Sequence, residues 1–295
     1  QRNEKDALEK AAVFYDTPVI RVFDSLGRAF LVNDNGLTSY YNYDIQGRLI
    51  ESIDPRLYAS NLTQGTAYYN FRYRYGLRVG SEEEPVNPLV TDSTDGGVNL
   101  SLDNAMGNHL WNRSPRNFDQ VIYYDELQRK VKIRTKGIKN DGTVATDNVV
   151  ETFIYGESQP NAEDFNLRGQ LYQLRDQSGV ITNSTYNLQG NSLETTRQLN
   201  KNYQDYVNWD DTVELEDESY TSSFAFNGIQ QLIAETIPDG SITTNSYNRL
   251  GLLEKITVTL PDGTLQPIIK NIEYDAKGQR VAVSYGNGVK TSYSY

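Results

Sequence analysis

Cysteine is absent from the 295 residues, which excludes disulfides, thiolate nucleophiles, iron–sulfur clusters and cysteine zinc sites but leaves the compartment open. There is one histidine, His109. A Ser-His-Asp triad would have to run through it, and neither Ser114 nor Asp103 nearby stands in a nucleophile-elbow pattern, so a structural or surface role is expected. Long apolar runs are missing too. None approaches the roughly 18 residues of a membrane helix, and the opening Gln1 to Ala12 is charged rather than a signal h-region. Basic residues are outnumbered, 28 against 39 acidic, and the net charge of −11 disfavours a phosphate-coated partner. Apolar residues make up 37%. Counting Gly in place of Tyr, 22 of each, leaves that figure unchanged and below the roughly 45–50% of ordinary globular chains. The chain should fold around a thin apolar layer.

Tyrosine, by contrast, outnumbers phenylalanine 22 to 9, and many tyrosines fall in one pattern: aromatic, Asp or Asn, two variable residues, then Gly. The copies are Phe23-Asp24-Ser25-Leu26-Gly27, Tyr43-Asp44-Ile45-Gln46-Gly47, Phe165-Asn166-Leu167-Arg168-Gly169, Tyr186-Asn187-Leu188-Gln189-Gly190, Tyr247-Asn248-Arg249-Leu250-Gly251 and Tyr274-Asp275-Ala276-Lys277-Gly278. Two degenerate copies, Tyr124-Asp125-Glu126-Leu127-Gln128 and Phe226-Asn227-Gly228-Ile229-Gln230, carry Gln where Gly is expected. Six of the seven separations between the aromatic positions lie near multiples of 20.

Each copy reads as a hairpin turn, because Asp or Asn bonds its own downstream backbone and Gly accepts the positive φ that closes a short loop. The turn-forming residues are therefore Asp24 with Gly27, Asp44 with Gly47, Asn166 with Gly169, Asn187 with Gly190, Asn248 with Gly251 and Asp275 with Gly278. Between copies lie second turns such as Asp176-Gln177-Ser178-Gly179, Pro238-Asp239-Gly240, Pro261-Asp262-Gly263 and Gly286-Asn287-Gly288. One unit is thus strand, turn, strand, turn. The flanking runs are β-branched and aromatic, as strands prefer, and fixed-period self-similarity marks a repeat architecture. The fold class expected is all-β, a long antiparallel sheet of repeated hairpins. About ten residues per strand and turn give roughly 25 to 28 strands, and so wide a sheet should curl into a shell. Tyr suits a wall wetted on both faces, since its ring packs across strands while its hydroxyl tolerates water. Residues 1–12 form a charged segment, expected as a short helix. Residues 13–295 form the repeat region, with irregular insertions expected near 76–120, which includes Glu82-Glu83-Glu84-Pro85, and near 200–219.

No catalytic, cofactor-binding or metal-binding residues are assigned. Asp205, Asp210, Asp211, Glu214, Glu216, Asp217 and Glu218 form the densest carboxylate cluster, but they lack the EF-hand ligand order and read as a solvated acidic loop beside Trp209. Trp111 and Trp209 are expected to pack rather than to stack on sugars. Asp54-Pro55-Arg56 reads as a rigid turn with an Arg contact. None of the Gly-containing turns ends in a phosphate-loop Lys-Ser/Thr.

These repeats resemble the YD-repeat, or RHS-repeat, family. Tyr15-Asp16-Thr17-Pro18-Val19 leading to Phe23-Asp24, then Ile53-Asp54-Pro55-Arg56-Leu57, Asn70-Phe71-Arg72-Tyr73, Leu167-Arg168-Gly169-Gln170 and Tyr285-Gly286-Asn287-Gly288-Val289 resemble the C component of bacterial insecticidal Tc toxin complexes, across nearly all of 13–295. The resemblance implies a hollow β-shell, formed jointly with the B component, that encapsulates a C-terminal toxin polypeptide in a secreted assembly. The implied partners are that B component and the enclosed polypeptide, with no nucleic acid, no membrane contact, no cofactor and no enzymatic activity of this segment. The alternative is a cell-surface adhesin or carbohydrate-binding repeat protein presenting Tyr and Trp. A third reading, an enzyme on a β scaffold, would need the carboxylates of 205–218 to line one pocket.

Overall fold

The computed structural model describes residues 17–76, 87–139 and 141–295, with Lys5, Lys10 and Ala12 as isolated positions. The helix expected over residues 1–12 lies, those three positions apart, outside the described residues, as do Tyr15-Asp16 and Glu82-Glu83-Glu84-Pro85. The chain forms two compact units, Gln1–Tyr123 with Thr135–Asp147 and Tyr124–Arg134 with Asn148–Tyr295.

The first unit carries β1 (Val19–Phe23), β2 (Ala29–Asp34), β3 (Leu37–Tyr43), β4 (Leu49–Ile53), β5 (Phe71–Arg74), β6 (Val90–Ser93), β7 (Gly97–Asp103), β8 (His109–Arg113) and β9 (Phe118–Tyr124). Each pairs antiparallel with the next. β10 (Lys130–Ile138) and β11 (Val144–Tyr155) have residues in both units, as does β9 through Tyr124. The second unit continues with β12 (Leu171–Asp176), β13 (Gly179–Tyr186), β14 (Ser192–Asn200), β15 (Leu215–Phe226), β16 (Leu232–Thr236), β17 (Ile242–Tyr247), β18 (Leu253–Thr259), β19 (Leu265–Tyr274), β20 (Arg280–Tyr285) and β21 (Lys290–Ser292). From β11 onward each again pairs antiparallel with its successor. This is the all-β antiparallel sheet of repeated hairpins that the residues predict.

The strand count is 21 among the described residues, fewer than the 25 to 28 expected. The aromatic positions 124 and 165, and again 186 and 226, are separated by one hairpin with long strands rather than by two short ones. β11 and β15 run to 12 residues each, β10 and β14 to 9. The stretch 76–120, read as an insertion, instead holds β6, β7, β8 and the start of β9. Near 200–219 the connection proper is 201–214, and Glu216, Asp217 and Glu218 already belong to β15.

The one α-helix among the described residues, α1 (Pro55–Gln64), starts where the sequence reads as a turn. Asp54 is its N-cap, accepting from the Leu57 N–H at 2.9 Å, and Pro55 occupies the first turn, where its missing N–H costs nothing. The expected Arg contact is present: Arg56 donates to Asp54 Oδ2 at 3.0 Å. Gly65, at φ +65°, ends the helix and donates to the Asn61 carbonyl. Tyr58 stacks on Tyr40 of β3 at 6.3 Å between ring centroids.

Little lies beneath the sheet. Among the described residues Val149, Leu167 and Val283 are the most deeply buried apolar side chains, and Ala162, Leu167 and Tyr186 form a buried cluster with Tyr172 packed against it. Strand faces such as that of β17, exposed and half-buried in strict alternation, have no second layer to pack on, so the fold must draw its stability from elsewhere.

Close backbone approach makes several glycines critical, Gly179 and Gly286 among them. At Gly179, with φ +137°, an added Cβ would lie 2.1 Å from the Gln198 carbonyl oxygen of β14, whereas at Gly190, with φ +84°, it would meet only the flexible Gln170 side chain at 3.2 Å. Gly179→Ala is expected to cost about 3 kcal/mol or more and Gly190→Ala about 1 kcal/mol. Equal losses in urea unfolding of the two variants would contradict this assignment.

Candidate functional site: an interlocked ladder of turns

Eight turns share one geometry. The Oδ1 atoms of Asp24, Asp44, Asn104, Asp125, Asn187, Asn227, Asn248 and Asp275 each accept two backbone N–H bonds, from the residues two and four positions on, at 2.8–3.1 Å. The fourth residue is left-handed in every case: Gly27, Gly47, Gly107, Gly190, Gly251 and Gly278 at φ +75° to +84°, and Gln128 and Gln230 at +61° and +66°. The degenerate copies therefore adopt the same turn in spite of a Cβ that disfavours it.

Asn104-Ala105-Met106-Gly107 is a copy the sequence pattern misses, because its aromatic is replaced by Asp103, which contacts His109 Nδ1 at 2.8 Å. Asn166 corrects the expectation in the other direction. It is itself left-handed, at φ +53°, and donates its Nδ2 to the Tyr186 carbonyl instead of bonding its own turn. The neighbouring Leu167 is 2% exposed in the buried cluster, its N–H taken by the Ala162 carbonyl. Burial of Leu167 decides this connection, and Gly169, at φ +79°, hydrogen-bonds Glu157 rather than a turn carbonyl.

In each unit the turns are tied to one another. Tyr43 donates its hydroxyl to the Ala29 carbonyl, Tyr75 to Leu49, Tyr155 to Lys130, Tyr186 to Leu171, Tyr247 to Leu232 and Tyr274 to Leu253, at 2.6–3.2 Å. The acceptor always stands five residues after the Asp or Asn of the preceding copy. Tyrosine is thus used for a specific bond between copies and not only for its tolerance of water. Tyr75 and Tyr155 escape the sequence pattern because Gly, not Asp or Asn, follows them.

Arginine closes three rungs. Arg28, Arg48 and Arg129 bond the carboxylates of Asp24, Asp44 and Asp125 through Nε at 2.6–2.8 Å, while their guanidinium carbons lie 5.2, 4.6 and 3.9 Å from the ring centroids of Tyr43, Tyr75 and Tyr155. Arg28 also donates to the Asp44 carbonyl and Arg48 to that of Gly76, while Gln231 reaches the next copy at the Gly251 carbonyl. Where the turn residue is Asn, the same position holds Asn108, Asn191, Gln231 or Leu252, so the charge of the turn and that of its partner vary together at every copy but Asp275, which Gln279 follows. The Arg28 guanidinium holds the Asp24 carboxyl below its ordinary range. At Asp44 and Asp125 burial pushes upward, but the N–H and guanidinium of Arg48 and Arg129 outweigh it.

The other residues singled out by the sequence are structural in position. Asp210 pairs with Lys132 at 2.8 Å, Asp211 accepts from Asn208, Asp205 from Asn202 and Glu218 from the Tyr220 hydroxyl. Among the described residues no three carboxylates or histidines are placed to hold a metal ion. Trp209 donates its indole N–H to the Asp176 carbonyl at 3.1 Å and its backbone N–H to Val149 at 2.9 Å, pinning the 201–214 connection. Trp111 lies under the Arg113 guanidinium, which pairs with Asp119. Ser114 Oγ accepts from the Phe118 N–H within a turn.

Two predictions follow from the rungs. Asp44→Ala removes both turn bonds and the Arg48 contact and should cost about 1–2 kcal/mol, whereas Asp44→Asn keeps the Oδ1 acceptor and should cost under about 1 kcal/mol; chemical denaturation of the two variants compares them. Carboxylates whose folded pKa is lowered contribute stability that is present above the unfolded value, about 3.9, and lost as pH falls through the folded one. The melting temperature should therefore hold from neutrality to about pH 5 and fall below about pH 4. The triple variant Asp24→Asn, Asp44→Asn, Asp125→Asn should show a shallower acid limb, and an unchanged limb would show that these pairs contribute nothing.

No family model matches the chain. It is 26% identical to the toxin subunit YenC2 of Yersinia entomophaga, over 96% of this chain and 31% of that protein, and 24% identical to YenC1 of the same organism, over 87% and 26%. Among solved structures it superposes on the TcdB2-TccC3 complex with a TM-score of 0.85 and 29% identity, covering 99% of this chain and 14% of that one. On a Photorhabdus luminescens Tc holotoxin pore the TM-score is 0.84 and the identity 28%, covering 96% and 13%. The chain thus spans about a third or less of the curated relatives' length, and in both sequence and fold it resembles an RHS-repeat segment of the C component of insecticidal Tc toxins.

Proposed function

We propose that this segment is non-enzymatic wall: part of a hollow β-shell, built jointly with a B component, that encloses a toxic polypeptide within an extracellular toxin assembly. The observation that carries the reading is a long single-layer sheet whose order comes from its rim turns and not from a core. A sheet of this kind separates two spaces without filling either. The likeness to Tc toxin subunits supports a place in such a complex. The side chains best suited to chemistry are committed to structure, His109 to Asp103 and Ser114 to its turn.

Joint assembly is supported by β1. Val19, Ile20, Val22 and Phe23 are each more than 40% exposed, and among the described residues β1 pairs with β2. An apolar strand of this sort at a sheet edge invites a further strand. The chain is expected to co-purify with a Tc B-type subunit, and the double change Ile20→Lys, Val22→Lys should abolish the complex while leaving the melting temperature within a few degrees. Failure to bind any B-type subunit, or undiminished binding by the lysine variant, would refute this mode of assembly. Enclosure itself is checked by expressing the segment in its full-length protein with the B subunit and treating the complex with protease: the toxic polypeptide should resist digestion until the assembly is opened.

A further inference from the structure

A cavity of about 320 Å³ lies in the second unit, against β12, β13 and β14 and beneath the 201–214 connection. Arg175 lines it. Arg28, Arg48, Arg113, Arg129 and Arg197, likewise half-buried, each hold a carboxylate within 2.9 Å. Arg175 has none among the described residues. Its Nε donates to the amide oxygen of Gln173 at 2.9 Å, and its guanidinium carbon lies 5.6 Å from the centre of the Trp209 ring. A partly desolvated guanidinium whose terminal nitrogens bond no anion is costly to keep and is suited to receiving a carboxylate in two-pronged fashion.

The rest of the cavity narrows the ligand. Trp209 is fixed by its bond to Asp176, so its ring is a rigid apolar wall rather than a mobile one. Thr212 adds a hydroxyl, while the Thr182, Thr196 and Gln198 side chains at the wall already bond Gln173, Thr221 and the Glu216 carbonyl. Asp211 also lines the cavity; one of its carboxylate oxygens is taken by Asn208 and the other is left to accept a hydroxyl. A positive fork, an aromatic wall, a threonine hydroxyl and one carboxylate acceptor, in a volume at the small end of ligand pockets, match a single sugar ring bearing a carboxylate. We propose that this cavity binds a hexuronate residue of an acidic glycan, with Arg175 holding the carboxylate, Trp209 packing against the ring carbons and Asp211 accepting a ring hydroxyl. The inference stands apart from the enclosure reading, since it concerns the surface of one unit and needs no partner subunit.

Calorimetric titration of the intact chain with D-glucuronate, D-glucose and acetate tests it. Glucuronate should bind saturably, with glucose and acetate each at least about tenfold weaker, because each lacks half of the recognised groups. Arg175→Gln should lose about tenfold or more in glucuronate affinity, and Arg175→Lys should lose less. Thr212→Val, away from the packing of Trp209, should weaken binding a few-fold with an unchanged melting temperature, and it keeps the test open if Arg175→Gln fails to fold. The proposal is overturned by an absence of glucuronate binding, by equal binding of glucose, or by an Arg175→Gln variant that folds and binds as well as the unchanged chain. Equal binding of acetate would also overturn it, since the site would then take any carboxylate, such as that of a polypeptide side chain.

Discussion

Everything in this fold depends on one side-chain oxygen capturing two downstream N–H groups at the end of a strand. That capture is local and cheap, because the donors lie two and four residues from the acceptor and closing so short a loop costs little chain entropy. Its consequence reaches further. By fixing the turn, it fixes where the next strand begins, and the carbonyl five residues on becomes the acceptor for the tyrosine of the following copy. Each hairpin therefore presents a prepared partner for its neighbour, and stability accumulates along the chain as a series of nearest-neighbour terms rather than through a shared interior.

The arginines show how the same rung is built in two electrostatic versions. Where the turn residue is Asp, as at 24, 44 and 125, a guanidinium balances it and also covers the tyrosine ring of the next copy. Where it is Asn, no arginine follows, because a guanidinium there would gain a ring and lose its carboxylate. Asp275 with Gln279 is the one rung that keeps the charge without the partner. Arg175 departs from that habit, its Nε bonded to the neutral amide of Gln173 in place of a carboxylate.

The period, the turn chemistry and the all-β class were legible in the sequence because they are local: an aromatic, an Asx and a glycine within five residues. What was hidden depends on tertiary context. Asn104 was invisible because Asp103 and His109 replace the aromatic contact with a polar one. Asn166 looked like the other turn residues, yet the burial of Leu167 overrode its local preference. Tyr75 and Tyr155 carry the inter-copy bond without the residues that advertise it. The spacing near forty residues mimicked two units, since longer strands and added connections are indistinguishable from a missing copy when only turn positions are counted. Helix α1 was signalled by Asp54 followed by Pro55, but the same pair also opens a turn, and the Gly65 cap eleven residues on is what separates the two.

Placing the order of the sheet in its rim leaves the faces free. A packed core ties nearly every apolar side chain to the volumes of its neighbours, whereas here three positions in about twenty set the turn and the link to the next copy. The remaining strand residues need only alternate and stay soluble on a wetted surface. Polar cross-strand pairs meet that demand, as between Thr196 and Thr221 or between Gln173 and Thr182, and they neither require nor create a second layer. A wall with such faces can vary the chemistry it presents, including a cavity like that at Arg175, without disturbing the bonds that hold it up.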